Sequence, residues 1–168
     1  KQLAALTVVL LMGAGVVSAA DLNEVAPLLV YPAIAAFAGG NQAGLTESFL
    51  TVTNTAAEGV IVHGSYINGN EDPTMGNTQY CYECNFTFNL TAFDTETLVV
   101  TTNTPLGISI ESEDGTVSRS CPYPVGMLVL TIEGAPGQPR TDNFLFGEQV
   151  VVNYTNGWAF SIPAIPFQ

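Results

Sequence analysis

The sequence predicts a mainly β protein, a β-sandwich of the immunoglobulin-like or jelly-roll-like kind, preceded by a hydrophobic N-terminal helix. After residue 27 the chain is rich in Thr, Asn and Gly and contains no Lys, which favours strands and turns over long helices. Short apolar or alternating runs are separated by frequent turn signals. Orthogonal sheets or a barrel are the alternatives. We expect two parts, an N-terminal segment of residues 1–26 and a β domain of residues 27–168.

The clearest strand covers residues 84–90. Its apolar residues fall at every second position, the period of a strand with one buried face. The polar residues between them belong to the outer face. We therefore place on the core side Cys84, Phe86, Phe88 and Leu90.

Eight further segments have strand character. Residues 28–37 are apolar but contain Pro32, which predicts an edge strand or a bulge. Residues 125–132 are strongly apolar and indicate a central strand. Asn156-Gly157 is the strongest local hairpin signal. The remaining strands are expected at 47–54, 59–67, 95–102, 106–111, 148–154 and 157–162.

Residues 3–20 contain no charged side chain. One interpretation is a secretory signal peptide cleaved after Ala20, where small residues form the expected site. A second is a retained helix, whose 18 residues would span about 27 Å, near the lower limit for crossing a bilayer. A third is a helix buried inside an assembly.

A short hydrophobic N-terminal segment followed by a small β domain resembles the layout of a pilin. The resemblance lies in the layout of about the first 26 residues, since type IV pilins carry Phe and Glu where this chain has Lys1 and Ala5. It implies a filament of identical subunits held together by the retained segment. The residues expected to make that contact are Leu3, Leu6, Val9, Leu10 and Val17.

The charge balance excludes some partners. Fifteen acidic residues against three basic ones give a net charge of −12. Such a surface repels nucleic acid and anionic lipid. The partners we expect are copies of the same chain, together with the membrane during export and glycans.

The three cysteines predict one structural disulfide in an oxidising compartment. Cys84 points inward and Cys121 precedes Pro122 at the start of a strand, so we expect the bond Cys84–Cys121. Cys81 would then be free or paired with another molecule. Cys81 and Cys84 form a C-x-x-C, but the pair enters a strand, unlike a thioredoxin-type site, and Asn85 replaces the His of a c-type haem site.

No catalytic motif occurs in the chain, so we expect no enzyme, no cofactor and no metal centre. His63 is the single histidine and most resembles an ordinary strand position. Zinc bound by His63 with the cysteines is a minor alternative. The acidic loops at Glu71-Asp72 and at Glu111, Glu113 and Asp114 are weak calcium candidates without EF-hand spacing.

Three sequons mark Asn85, Asn89 and Asn153 as candidate glycosylation sites. Asn85 and Asn89 lie four residues apart in one strand and so share its outer face. Residues 29–102, with the words VYPAIAA, ESFLTVTNT and CNFTFNLTAFDTETLVV, are similar to uncharacterised secreted bacterial surface proteins. That similarity implies secretion and a β fold.

These features favour a non-enzymatic structural subunit of an extracellular filament or cell-surface assembly. The alternative is a secreted monomeric module that binds carbohydrate or a surface after loss of its signal peptide. In that case stacking surfaces would come from Tyr66, Tyr80, Tyr82, Tyr123 and Trp158.

Overall fold

The computed structural model describes residues 25–36, 45–68, 82–104, 107–122, 125–134 and 142–167. Within these ranges the chain forms β-strands and no helix. The strands are β1 (Leu28–Ala35), β2 (Thr46–Asn54), β3 (Val60–Asn68), β4 (Tyr82–Leu90), β5 (Thr95–Thr104), β6 (Gly107–Ser112), β7 (Ser118–Pro122), β8 (Val125–Glu133), β9 (Leu145–Asn153), β10 (Trp158–Pro163) and β11 (Ile165–Phe167).

The strands form two antiparallel sheets. The five-stranded sheet has the order β11-β1-β8-β3-β4, and the six-stranded sheet has the order β10-β9-β2-β5-β6-β7. Buried residues of both sheets belong to one hydrophobic cluster. The predicted β class is therefore confirmed, and the two layers are consistent with a β-sandwich.

The core follows the alternation that the sequence predicted. Cys84, Phe88 and Leu90 are buried, and Phe86 packs against them at the margin. Strand β8 lies between β1 and β3, as its apolar run predicted, and its inward residues Leu128 and Leu130 are fully buried. Burial on one face thus sets the register, because a slip of one residue would expose these side chains.

Strand β1 connects the two layers. Its pairing with β8 shifts between Tyr31 and Ile34, so the bulge expected at Pro32 is present. Tyr31 is buried, and its hydroxyl donates a hydrogen bond of 2.6 Å to the carbonyl of Thr51 in the six-stranded sheet. That hydroxyl lies over Gly147, where any added Cβ would collide with it. The glycine is what allows the sheets to approach here.

A disulfide joins the two sheets at the margin formed by β4 and β7. Cys84 of β4 and Cys121 of β7 are bonded, with 5.9 Å between their Cα atoms, as the sequence predicted. Both cysteines are buried, and each strand is the last of its sheet. The bond therefore holds two edge strands together across the core.

Some features were not predicted. Strands β7 and β11 were missed, since β7 is polar and β11 has three residues with Pro166 in the middle.

The Asn156-Gly157 hairpin is confirmed, but only Gly157 has a positive φ, 67°. A two-residue type I′ turn needs positive φ at both residues, so the connection is a longer turn over residues 154–157. The expected N-terminal helix lies outside the described residues.

Removing the disulfide is expected to lower the free energy of unfolding substantially. The bond closes a loop with a sequence separation of 37, for which the loss of denatured-state entropy corresponds to about 3–4 kcal/mol. Urea titration of Cys84→Ala/Cys121→Ala against the unreduced protein measures the difference. A loss below about 1 kcal/mol would show that the edge strands are held without the bond.

Alkaline pH is expected to destabilise the protein through its buried tyrosines. Burial raises the pKa of Tyr31 above its ordinary range, and burial raises the pKa of Tyr66 to about 12. The folded-state pKa values exceed the unfolded value near 10. The contribution of the two neutral phenols to the free energy of unfolding is therefore complete below pH of about 10 and is lost as pH rises further.

Each tyrosine should contribute a slope of at most about 1.4 kcal/mol per pH unit above pH of about 10. Urea midpoints measured at successive alkaline pH values test this. Tyr31→Phe should be less stable throughout but should show a flatter pH dependence. An identical slope for the native protein and Tyr31→Phe would contradict the assignment.

Candidate functional site

An open groove of about 370 Å³ lies at one end of the sandwich. One wall is the end of β1, residues 33–35, together with Val125 at the start of β8. The other wall is β10, through Trp158 and Phe160. Thr46, Val151, Asn153 and Asn156 lie between the walls.

The aromatic wall results from strand pairing. Trp158 lies opposite Asn153, and Phe160 opposite Val151. Asn153 and Val151 are buried, so the two aromatic side chains lie on the inward side of β10. Their rings stack at 5.6 Å between centroids. Both remain about two-fifths exposed, 42% and 43%, which leaves an apolar surface open to a ligand.

Polar bonds hold the β9–β10 turn in place below the aromatic pair. The Asn153 amide donates to Thr46 Oγ1 at 2.8 Å, and its Oδ1 accepts the backbone N–H of Asn156 at 2.7 Å. The N–H of Leu45 bonds to Thr155 Oγ1 at 2.9 Å. These contacts tie the turn to the start of β2 and so fix the position of Trp158.

On the β1 side, side chains of the opposite sheet bind the strand edge. Ser48 Oγ lies 3.2 Å from the N–H of Ala35 and donates at 3.0 Å to its carbonyl. Gln149 donates to the carbonyl of Ala33. Strand β11 pairs only with residues 28–30 of β1, so Ser48 and Gln149 satisfy backbone groups that no neighbouring strand reaches.

The groove carries no charge on the lining residues that the structure describes. None of its lining residues is Asp, Glu, Lys or Arg, although the chain has fifteen acidic residues and a net charge of −12. A groove of this composition favours uncharged, largely apolar ligands.

The predicted stacking residues are dispersed. Trp158 lines the groove and is half-exposed, and Tyr82 is half-exposed on the edge strand β4. Tyr66 is fully buried in the core, so it offers no stacking surface. Tyr80 and Tyr123 lie outside the described residues. The five residues therefore do not form one surface.

His63 belongs to a polar cluster on the outer face of the five-stranded sheet. Its Nδ1 lies 3.0 Å from Glu133 Oε1 and its Nε2 lies 3.0 Å from Asn85 Oδ1. Ser65 Oγ is within hydrogen-bond distance of Asn85 Oδ1, at 2.7 Å, and of Glu83 Oε1, at 3.0 Å. These contacts fit the interpretation of His63 as an ordinary strand residue.

No metal-binding cluster of three or more His, Cys, Asp or Glu occurs in the ranges that the structure covers. The zinc alternative loses its thiolates, because Cys84 and Cys121 are bonded to each other. Asp114, in one calcium candidate loop, accepts bonds from Ser112 Oγ and from the N–H and hydroxyl of Thr116. The bond from Ser112, followed by those from Thr116, lowers the pKa of the Asp114 carboxyl.

The three sequons differ in environment. Asn85 and Asn89 are exposed on β4, on its outer face. Asn153 is 2% exposed and both ends of its amide are hydrogen-bonded. The folded structure therefore argues against Asn153 as a glycosylation site, whereas Asn85 and Asn89 stay predictions.

Several predicted residues fall outside the described part of the chain. These are the assembly residues Leu3, Leu6, Val9, Leu10 and Val17, together with Cys81, Glu71 and Asp72. In the ranges that are described, no helix is long and apolar enough to cross a membrane.

Sequence reasoning did not identify Phe160 or the β1 wall. A local signal existed for Phe160, since two aromatics two residues apart follow a hairpin turn and must share a face. The β1 wall had no such signal, because it depends on where β11 stops. Comparison with known proteins finds no family model, curated protein or solved structure that matches this chain.

Proposed function

We propose that this protein is a structural subunit of an extracellular filament or cell-surface assembly, polymerised through its N-terminal hydrophobic segment. One observation carries the proposal: a groove with no charged residue among its described lining lies at the end of the domain opposite to Ala26. Ala26 pairs with Leu145 at the first residue of β9, whereas Val151 and Asn153 line the groove at its other end. A nine-residue strand separates these points by about 27 Å.

The energetics of such an assembly favour apolar contacts. Full burial of each large apolar side chain contributes about 1.5–3 kcal/mol. The acidic domains repel each other, but that repulsion is screened beyond about 8 Å at physiological salt. Burial of residues such as Leu6, Leu10 and Val17 therefore outweighs the charge repulsion.

The expected location is extracellular or at the cell surface. The buried disulfide is compatible with an oxidising compartment. We assign the sandwich to the broad immunoglobulin-like or jelly-roll-like class and expect contact with the membrane only during export.

Filaments of the native protein are expected to resist salt and to require an apolar residue at position 10. At about 1 M salt, screening shortens the range of charge interactions to about 3 Å without weakening hydrophobic burial. Leu10→Asp should abolish assembly, because it would place an unpaired charge in an apolar contact. Electron microscopy and sedimentation of the native and variant proteins measure both effects.

Leu10→Met is the matched control, since it keeps an apolar side chain of similar volume and should assemble normally. Far-ultraviolet circular dichroism should show the same β signal for all three proteins. Native protein that stays monomeric with its N-terminus intact would overturn the proposal, as would normal filaments from Leu10→Asp.

The second candidate function is a secreted binding module. The stacked Trp158–Phe160 pair favours it, because half-exposed aromatic rings in a groove provide a flat surface for a sugar ring. In this case the N-terminal segment would be cleaved after Ala20, and the domain would act as a monomer.

A glycan-binding screen of the secreted protein, followed by titration of any ligand, tests the second candidate. Trp158→Ala should weaken binding by roughly tenfold, equivalent to about 1.4 kcal/mol. Tyr82→Ala is the control, since Tyr82 is similarly exposed, at 44% against 42%, but lies outside the groove. Equal affinities of the two variants would remove the groove from carbohydrate recognition.

A further inference from the structure

We propose that the groove and the edge of β10 that pairs with no described strand are the docking site for the apolar N-terminal segment, residues 3–17, of a second copy of this chain. This inference rests on the proposed function and specifies its receptor. The segment enters in extended form, packs against Trp158, Phe160 and residues 33–35, and pairs with the backbone of β10.

Strand β10 is the least protected of the sheet edges. Edge strands usually avoid unwanted pairing by charge, by proline or by being short. Strand β4 carries Glu83, β7 carries Arg119 and Pro122, and β11 has three residues including Pro166. Strand β10, Trp158–Pro163, has six uncharged residues, with proline only at its end. Its first four residues are exposed, so its backbone is available for strand addition.

The chemistry of the groove matches that of the segment. In the described part of the chain the groove has no charged lining residue, although the sequence is strongly acidic. Residues 3–20 likewise contain no charge. Because burying an unpaired charge is costly, an uncharged segment of the same protein is a suitable occupant. A charged surface of a second domain is excluded on the same ground.

The small volume of the groove suits an extended chain. Its volume of about 370 Å³ lies at the lower end of the range for ligand pockets. An extended chain presents alternate side chains to one face and can fill the groove with a few of them.

The position of the groove gives the contact a direction. The segment joins the domain near Ala26 and Leu145, and the groove lies at the other end of β9. A contact between two different surfaces of the same subunit repeats from copy to copy, and it produces an open chain when the rotation between copies does not close a ring. This is the geometry that a filament requires.

Trp158 provides a direct test, because it is the only tryptophan in the chain and is 42% exposed in the isolated domain. Its fluorescence therefore reports on the groove alone. Acrylamide quenching is measured on full-length native filaments and on unassembled Leu10→Asp protein. In filaments the emission should shift to shorter wavelength, and the quenching constant should fall several-fold.

A second variant tests the groove itself. Phe160→Glu places a charge on the half-exposed aromatic wall and should abolish assembly. Ile61→Glu is the matched control, since Ile61 is exposed to a similar extent, 45% against 43%, but lies outside this groove; it should assemble normally. Unchanged circular dichroism would confirm that both variants fold. If Phe160→Glu does not fold, the quenching of Trp158 in the native protein still tests whether the groove is occupied.

The outcomes separate this inference from the proposed function. Native filaments in which Trp158 stays exposed, or filaments formed by Phe160→Glu, would overturn groove docking and leave the filament proposal standing. Absence of native filaments would overturn both. Protection of Trp158 in native monomers, independent of concentration, would show that the segment occupies its own domain. Protection caused only by added oligosaccharide would assign the groove to the second candidate function.

Discussion

The bulge of β1 at Pro32 is the constraint on which the rest of this structure depends. Before the bulge, β1 pairs with β8 on one side and β11 on the other. Beyond the bulge, side chains of the six-stranded sheet hydrogen-bond this edge of β1. Ser48 bonds the backbone of Ala35, and Gln149 donates to the carbonyl of Ala33. Those side chains take the place of a neighbouring strand on this edge of β1, while its other edge still pairs with β8 as far as Ala35. The groove lies between this end of β1 and β10. Proline fixes φ and has no N–H to donate, which accounts for the break in the ladder.

This arrangement requires polar side chains inside the sandwich. Ser48, Gln149 and Asn153 are buried, and each hydrogen-bonds a backbone or side-chain group. The Oε1 of Gln149 is buried with no hydrogen-bond partner among the described residues, and a buried oxygen left unpaired costs about 1–3 kcal/mol. The disulfide at the opposite margin and the hydroxyl of Tyr31 across Gly147 hold the sheets together against that cost.

Charge is distributed unevenly over the outer surface of the domain. The net charge of −12 keeps copies apart wherever acidic faces meet. Among the residues that the structure describes, the groove and β10 contain no charged side chain, although Glu148 of the neighbouring β9 accepts a hydrogen bond from Ser161.

The sequence by itself determined the β class, the inward face of β4, the central position of β8 and the Cys84–Cys121 bond. The β class and the inward face of β4 are local properties, because period-two burial and turn residues act within a few positions of the chain. The position of β8 followed from its apolar composition, and the disulfide from the inward position of Cys84. Only the tertiary structure decided that Tyr66 is buried while Trp158 is open, that Asn153 holds a turn, and that residues 33–35 face Phe160. Those facts depend on which strands become neighbours and where a partner strand ends. Such relations join residues more than a hundred positions apart, as in the contact between Gln149 and Ala33, and no local pattern in the chain encodes them.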